Sequence, residues 1–172
     1  KEQAYQLCAQ RTPRAKWAQA GNTIQFAGDQ LVIDNTDGVG LVRDIVQNAG
    51  ISLEGKRVLL LGAGGAAAGA LGALLDAKPA ALVLANRTSE RAVRLVASHR
   101  AYANQITPAT RLEAATLLDL PQLGQFDVLI NATSSSLDGD ALQLPPTLIA
   151  PGALVYDMMY GKGKSPFMAL AS

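Results

Sequence analysis

The hydrophobic pattern changes character part-way along the chain. After residue 56, short continuous runs of Val, Leu and Ile alternate with segments of helical periodicity. Strands that are apolar at nearly every residue are typical of a parallel sheet covered on both faces, and their alternation with helices predicts a doubly wound α/β sheet. The predicted strands are Arg57–Leu61, Ala81–Ala85, Phe126–Ile130 and Leu154–Tyr156, with a weaker one at Gln105–Thr107.

Helices are predicted in the intervals between these strands. The first is rich in Gly and Ala and ends at about Ala77. The second covers Ser89–Ser98, and the third lies around Leu112–Leu118.

The first part of the chain has a different pattern. Residues 1–12 predict a short helix. Two extended runs between Thr23 and Ile33 flank Gly28-Asp29, a dipeptide typical of hairpin turns. This segment therefore predicts a β-hairpin.

A cluster of helix-capping residues at 34–38 precedes a helix with one apolar side, and Gly50 ends that helix. We place a domain junction at about Asp37. Residues 1–36 are then a remnant of another domain, and residues 37–172 form the α/β domain.

Composition and charge exclude several classes of protein. Hydrophobic residues make up 49% of the 172 residues, charged residues 17%, and the net charge is +1 with the basic residues scattered. We therefore expect a sizeable core and no nucleic-acid or membrane partner. The single cysteine, Cys8, indicates a reducing compartment, and we expect the cytoplasm. Because the chain begins at Lys1 without a methionine, we expect it to be part of something longer.

A glycine-rich loop directly follows the first buried strand and opens the Ala-rich helix. Gly62 permits the tight turn, Gly64 lets the backbone approach a pyrophosphate, and the small Ala67 lets helix and strand pack closely. The phosphates would bind free N–H groups at the positive end of the helix dipole. This arrangement predicts a Rossmann-like dinucleotide site. Its loop residues are Gly62, Ala63, Gly64, Gly65 and Ala66.

The end of the second strand indicates which dinucleotide is bound. NAD enzymes usually place a carboxylate there to bind the ribose 2′-hydroxyl, whereas this strand ends in Asn86-Arg87-Thr88, with Arg91 in the following helix. Arginines suit a doubly charged 2′-phosphate, and Arg87 can also lie against the adenine. We predict NADP rather than NAD.

Further motifs resemble the shikimate dehydrogenase family, in the same order over essentially the whole chain. They are Lys1-Glu2, Asn22-Thr23, Asp34-Asn35-Thr36-Asp37-Gly38, the glycine loop, Asn86-Arg87-Thr88, Asn131-Ala132-Thr133-Ser134 and Tyr156-Asp157-Met158-Met159-Tyr160. The resemblance implies hydride transfer between NADP and C3 of shikimate, which interconverts it with 3-dehydroshikimate. It also makes residues 1–36 a remnant of the α/β substrate-binding domain, and we expect a monomer or a homodimer.

The family resemblance also assigns roles to single residues. It implies that Lys1 and Asp37 are the acid/base pair and that both contact the substrate. Asn22 and Tyr160 are implied to hydrogen-bond substrate hydroxyls. Thr133 and Met158 are implied to contact the cofactor, Met158 at its nicotinamide end.

The chain also departs from the family. It lacks the serine pair that binds the substrate carboxylate and the later glycine and glutamine, and Ala68 stands where many relatives carry an arginine. Two alternatives stay open: a paralogue that accepts quinate or prefers NAD, and a non-catalytic NADP sensor. No Cys/His cluster predicts a metal site, and the only histidine, His99, is expected at the surface or at a helix end.

Overall fold

Two β-sheets organise the chain. A computed structural model describes residues 1–133, 144–159 and 165–171. The strands are β1 (Gln10–Arg11), β2 (Thr23–Ala27), β3 (Gln30–Asp34), β4 (Arg57–Leu61), β5 (Ala81–Asn86), β6 (Arg111–Thr116), β7 (Phe126–Asn131) and β8 (Ile149–Asp157). The helices are α1 (Glu2–Leu7), α2 (Pro13–Ala18), α3 (Asp37–Arg43) with a π-helical continuation (Asp44–Asn48), α4 (Gly65–Asp76) and α5 (Ser89–Ile106), with 3₁₀ turns at Leu120–Gln122, Pro146–Leu148 and Met168–Ala171.

The larger sheet has the strand order β6-β5-β4-β7-β8, and every neighbouring pair is parallel. The chain runs outward from β4 through β5 to β6, then returns to place β7 on the other side of β4. This reversal is the topological switch point of a doubly wound sheet, where ligands bind beyond the carboxyl ends of the strands. The predicted fold class is confirmed.

Alternate residues of the central strand face two separate cores. Val58 and Leu60 pack with α4 and α5, whereas Leu59 and Leu61 pack on the opposite face. All four side chains are 0% exposed. Burying a Leu or Val side chain contributes about 1.5–3 kcal/mol, so these runs hold the sheet at the centre of the domain.

Two predictions for the segment between β5 and β7 were wrong. Residues 105–107 are not a strand, because α5 continues to Ile106, and residues 112–118 are not a helix, because 111–116 form β6. The buried positions Ala92, Val96 and Ala103 keep helical spacing along α5. In β6, pairing of its backbone with β5 overrides the helix preference of Leu, Glu and Ala.

The smaller sheet contains the predicted hairpin. β2 and β3 are antiparallel and turn at Gly28, whose φ of 60° suits glycine, and β1 pairs in parallel with β3. The expected helix over 1–12 is shorter than predicted, because it ends at Leu7. Cys8 then turns inward and is 1% exposed, which lets the chain continue into β1.

α2 and α5 meet over an aromatic cluster. The Trp17 ring lies 4.0 Å from the Tyr102 ring and 6.3 Å from that of His99. His99 is 0% exposed, so the expectation that it lies at the surface was wrong. Burial lowers the pKa of His99 below its usual value, because it disfavours the charged imidazolium. None of the helices in the described ranges combines the length and the apolar character that a bilayer crossing requires.

Candidate active site

Three polar side chains that are distant in sequence meet at the start of α3. The Nζ atom of Lys1 lies 2.5 Å from Oδ2 of Asp37, and the two residues are 36 positions apart in the chain. The Nδ2 atom of Asn22 donates to Oδ1 of Asp37 over 2.7 Å. Lys1 and Asn22 are exposed, and the Asp37 side chain is 20% exposed. Both carboxylate oxygens therefore have a donor while the cluster stays open to solvent.

The backbone around Asn22 is fixed from both sides. Its N–H donates to the carbonyl of Asp34 at the end of β3 over 3.0 Å, and its Oδ1 accepts from the N–H and the hydroxyl of Thr36, each over 3.1 Å. The neighbouring Gly21 N–H donates to the carbonyl of Lys1 over 3.3 Å. The carbonyl of Lys1 and the segment that carries Asn22 are thus tied together.

Asp34 anchors the end of the strand that leads to this cluster. Its carboxylate accepts from Thr12 Oγ1 over 2.6 Å and from Arg14 Nε over 3.1 Å. The hydrogen bond from Arg14 lowers the pKa of Asp34, so this carboxylate stays charged into the acidic range. The anchor therefore keeps its hydrogen bonds near neutral pH.

The turn after β4 has the geometry that only glycine allows. Gly62 has a φ of 107°, and a Cβ added there would lie 3.0 Å from Thr133 Cγ2 and 3.1 Å from the Ala132 carbonyl carbon. Its N–H donates to the carbonyl of Ala85 over 2.8 Å. The turn is thus held between β5 and the residues that follow β7.

The start of α4 is open. A Cβ added at Gly64 or at Gly65 would meet no atom within 4 Å, and no side chain caps the helix. The first turn leaves N–H groups without intrahelical partners, and this end of the helix carries the positive end of the dipole. Ala67 is 0% exposed, as the close packing of helix on strand requires. The loop can therefore receive an anion.

The predicted residues after β5 lie at the turn between this strand and α5. Asn86 Nδ2 donates to the Thr88 carbonyl over 2.9 Å and closes the turn into α5. Arg87 and Arg91 are exposed, and nothing in the described part of the chain pairs with either guanidinium. Both remain available to an incoming charged group.

The ends of β7 and β8 form one hydrogen-bonded unit. Asn131 is 1% exposed, and its Nδ2 donates to Asp157 Oδ1 over 3.0 Å. Its Oδ1 accepts from the Thr133 N–H over 3.0 Å and from the Thr133 hydroxyl over 2.7 Å. The N–H of Met158 donates to the Asn131 carbonyl over 2.9 Å. These contacts place Thr133 and Met158 at adjoining strand ends.

Two residues named from the sequence, Ser134 and Tyr160, lie outside the described residues.

The sequence did not assign a role to two polar residues that help to build the site. Asn35 is 1% exposed beneath the Lys1 cluster, and Asp157 accepts from Ser165 Oγ over 2.6 Å and from the Met159 N–H. Both belong to motifs already singled out, but their partners are distant in sequence. In the ranges that the structure covers, no group of acidic, Cys or His side chains could hold a metal.

Comparison with known proteins decides the family. The family model for shikimate/quinate 5-dehydrogenase matches residues 41–138, which is more than half of the chain. This chain belongs to the shikimate/quinate 5-dehydrogenase family.

Curated relatives and solved structures agree with that membership. The shikimate dehydrogenase (NADP(+)) of Dechloromonas aromatica is 50% identical over 171 residues, which are 99% of this chain and 60% of the relative. The crystal structure of an Ael1 enzyme from Pseudomonas putida has a TM-score of 0.87 at 40% identity, over 99% of this chain and 60% of that one. Shikimate 5-dehydrogenase from Thermus thermophilus, solved with NADP(H) and shikimate, has a TM-score of 0.77 at 28% identity, over 99% and 59%.

The matched relatives are longer than this chain. It spans about 60% of the length of the curated relatives it matches.

Proposed function

We propose that this chain supplies the cofactor-binding and acid/base parts of an NADP-dependent shikimate dehydrogenase. The enzyme would transfer a hydride between NADP(H) and C3 of shikimate or 3-dehydroshikimate. The observation that carries the proposal is the cluster of Lys1, Asp37 and Asn22, with donor–acceptor distances of 2.5 and 2.7 Å. A sensor that only binds a nucleotide has no need of such a cluster.

In the proposed reaction, Lys1 handles the proton. When the substrate carbonyl is reduced, its oxygen must gain a proton, and the Lys1 ammonium can donate one from hydrogen-bonding distance. In the reverse direction the neutral amine accepts the proton from the C3 hydroxyl. Asp37 holds the ammonium in place and can accept a hydrogen bond from the neighbouring substrate hydroxyl, and Asn22 orients Asp37.

The residues around the switch point fit a bound NADP. NADPH supplies the hydride when it is bound. The open N–H groups at the start of α4 would hold the pyrophosphate, and the turn at Gly62 keeps side chains away from it. Arg87 and Arg91 would pair with the ribose 2′-phosphate, and Thr133 and Met158 would line the nicotinamide end. We keep the division proposed from the sequence, with residues 1–36 on the substrate side and 37–172 on the cofactor side, in a cytoplasmic enzyme.

Steady-state assays of the full-length protein that contains this chain test the proposal. Lys1→Ala and Asp37→Asn are expected to lower kcat by about 10²–10⁴-fold, since each removes a proton-transfer or orienting group. NADP affinity should stay within a few-fold. Matched controls are Lys16→Ala, an exposed lysine on α2, and Asp29→Asn in the hairpin turn. Near-normal turnover in either test variant would refute the acid/base assignment.

Quinate is the second substrate to assay, because the matching family model includes quinate as well as shikimate. The two acids differ at the ring carbon that bears the carboxylate, and the described residues contain no assigned carboxylate site. Comparing kcat/KM for shikimate and quinate in the unmodified protein separates the two activities.

A further inference from the structure

We propose that Asn35 is a positioning residue that joins the cofactor helix α4 to the acid/base cluster. The inference rests on the proposed function, since it concerns how Lys1 and Asp37 are held relative to that helix. Asn35 lies between β3 and α3 and is 1% exposed, so its amide group must find its partners inside the protein.

Both ends of the Asn35 amide bind the backbone of the cluster. Its Oδ1 accepts from the N–H of Asp37 over 3.1 Å, and its Nδ2 donates to the carbonyl of Ala20 over 3.2 Å. Ala20 begins the segment whose next residues bind the Lys1 carbonyl and carry Asn22. One buried side chain thus holds both backbone segments that bring the polar cluster together.

The same amide rests directly on α4. A Cβ added at Gly69 would lie 2.9 Å from Oδ1 and 3.1 Å from Nδ2 of Asn35. Distances this short mean that Gly69 leaves no space between the helix backbone and the amide. Gly69 lies about one turn after the loop that we propose binds the pyrophosphate.

A second contact, at the residue after Asp37, also places α3 directly against the backbone of α4. A Cβ added at Gly38 would lie 2.4 Å from the carbonyl oxygen of Gly69 and 3.1 Å from the Cα of Ala70. The residue after Asp37 therefore touches the α4 backbone without any intervening side chain. Because there is no free space between the two helices at these contacts, a movement of α4 toward α3 must displace Asn35 or Asp37.

The test uses Gly69→Ala in the full-length protein, with Gly72→Ala as its matched control. Both residues lie on α4, but a Cβ at Gly72 would meet Trp17 Cε3 at 3.1 Å and not Asn35. A displacement of a few tenths of an ångström at the cluster is expected to lower kcat about tenfold in Gly69→Ala, since 1 Å can lower it about a hundredfold. The Kd for NADP should change less than about threefold, and Gly72→Ala should keep the kcat of the unmodified protein.

Asn35→Ser supplies a second measurement. The shorter hydroxyl side chain can still accept from the Asp37 N–H and makes room for a Cβ at Gly69. If Asn35 transmits the effect, Gly69→Ala should lower kcat much less in the Asn35→Ser background. Amide hydrogen exchange gives a readout apart from activity: the Asp37 N–H should exchange faster in Gly69→Ala than in Gly72→Ala.

Three outcomes would overturn the inference: unchanged kcat in Gly69→Ala, equal losses in the two glycine variants, or fully additive effects in the double variant. These outcomes differ from a failure of the proposed function. That failure would appear as normal turnover in Lys1→Ala or Asp37→Asn, whatever Gly69→Ala does.

Discussion

Two glycines of the loop after β4 should respond in opposite ways to the same substitution. Gly62→Ala adds a methyl group where the backbone has a φ of 107° and where Thr133 Cγ2 lies 3.0 Å away. Gly64→Ala adds one at a φ of −95°, an ordinary extended conformation, into open space. The first change perturbs the fold, whereas the second changes only the surface that the cofactor would approach.

The structure sets the size of each effect. At Gly62, unfavourable backbone geometry costs about 1–3 kcal/mol, and the overpacked contacts cost about 1–3 kcal/mol more. At Gly64, a non-glycine residue in a compatible conformation should raise the free energy of unfolding by about 0.4–1 kcal/mol. The methyl group would keep a pyrophosphate from at least one N–H donor. A lost hydrogen bond to a charged group corresponds to about 1.5–3 kcal/mol, or about 10- to 100-fold in Kd.

Urea unfolding and NADP titration of the full-length protein give the two measurements. Gly62→Ala is expected to have a lower free energy of unfolding, and Gly64→Ala an unchanged or higher one with a much weaker Kd for NADP. Tight NADP binding by Gly64→Ala would show that the pyrophosphate does not approach this loop. Unchanged stability of Gly62→Ala would show that the turn geometry is wrong.

The other predictions concern the helix contact, the cofactor phosphate and the buried histidine. Gly38→Ala should lower the free energy of unfolding by about 1–3 kcal/mol, because the added Cβ would meet the backbone of α4. Gly40→Ala should raise the free energy of unfolding by up to about 1 kcal/mol, because its Cβ would meet no atom within 4 Å. Urea unfolding of the two variants measures the difference. Replacing Arg87 and Arg91 by Ala should weaken NADP far more than NAD, and equal losses in the two Kd values would remove the 2′-phosphate argument. His99 has a lowered pKa in the fold, so the unfolded chain binds the proton first as pH falls below about 6.5. The free energy of unfolding should then fall by at most about 1.4 kcal/mol per pH unit as the pH drops below about 6.5, and His99→Leu should lose this slope; an equal slope in both proteins would contradict the burial.

The sequence predicted the parts of the fold in which local pattern and tertiary structure agree. The structure contains the predicted strands β4, β5 and β7, the hairpin and the glycine loop. In each of these segments a clear hydrophobic pattern is bounded by residues typical of turns or helix caps. The prediction was wrong where pairing overrode propensity, since Leu112 and its neighbours form an edge strand despite good helix-forming residues. The prediction also ended the second helix of this domain at Ser98, whereas α5 continues to Ile106.

The sequence allowed us to predict which residues make up the candidate site, but not which buried residues hold them in place. The glycine loop and Arg87 are local motifs whose chemistry can be read directly. Lys1 and Asp37 needed the family resemblance, because a terminal lysine and a helix-capping acid are ordinary when taken alone. No role could be assigned to Asn35 from the sequence, since its role depends on contacts with Ala20 and Gly69. Contacts between residues so far apart in the chain cannot be predicted from sequence spacing.

The helix that begins at the cofactor loop carries no charged side chain before Asp76. Within this helix, the pyrophosphate end of the site would therefore be bound by peptide dipoles, whereas the ribose end would use the full charges of Arg87 and Arg91. Dissolved salt weakens attraction between exposed charges over a screening length of about 8 Å at physiological ionic strength, and it affects short contacts with backbone amides much less. If Arg87 and Arg91 hold the 2′-phosphate as proposed, the preference for the phosphorylated dinucleotide would diminish as the salt concentration rises, while the affinity shared by both dinucleotides would persist.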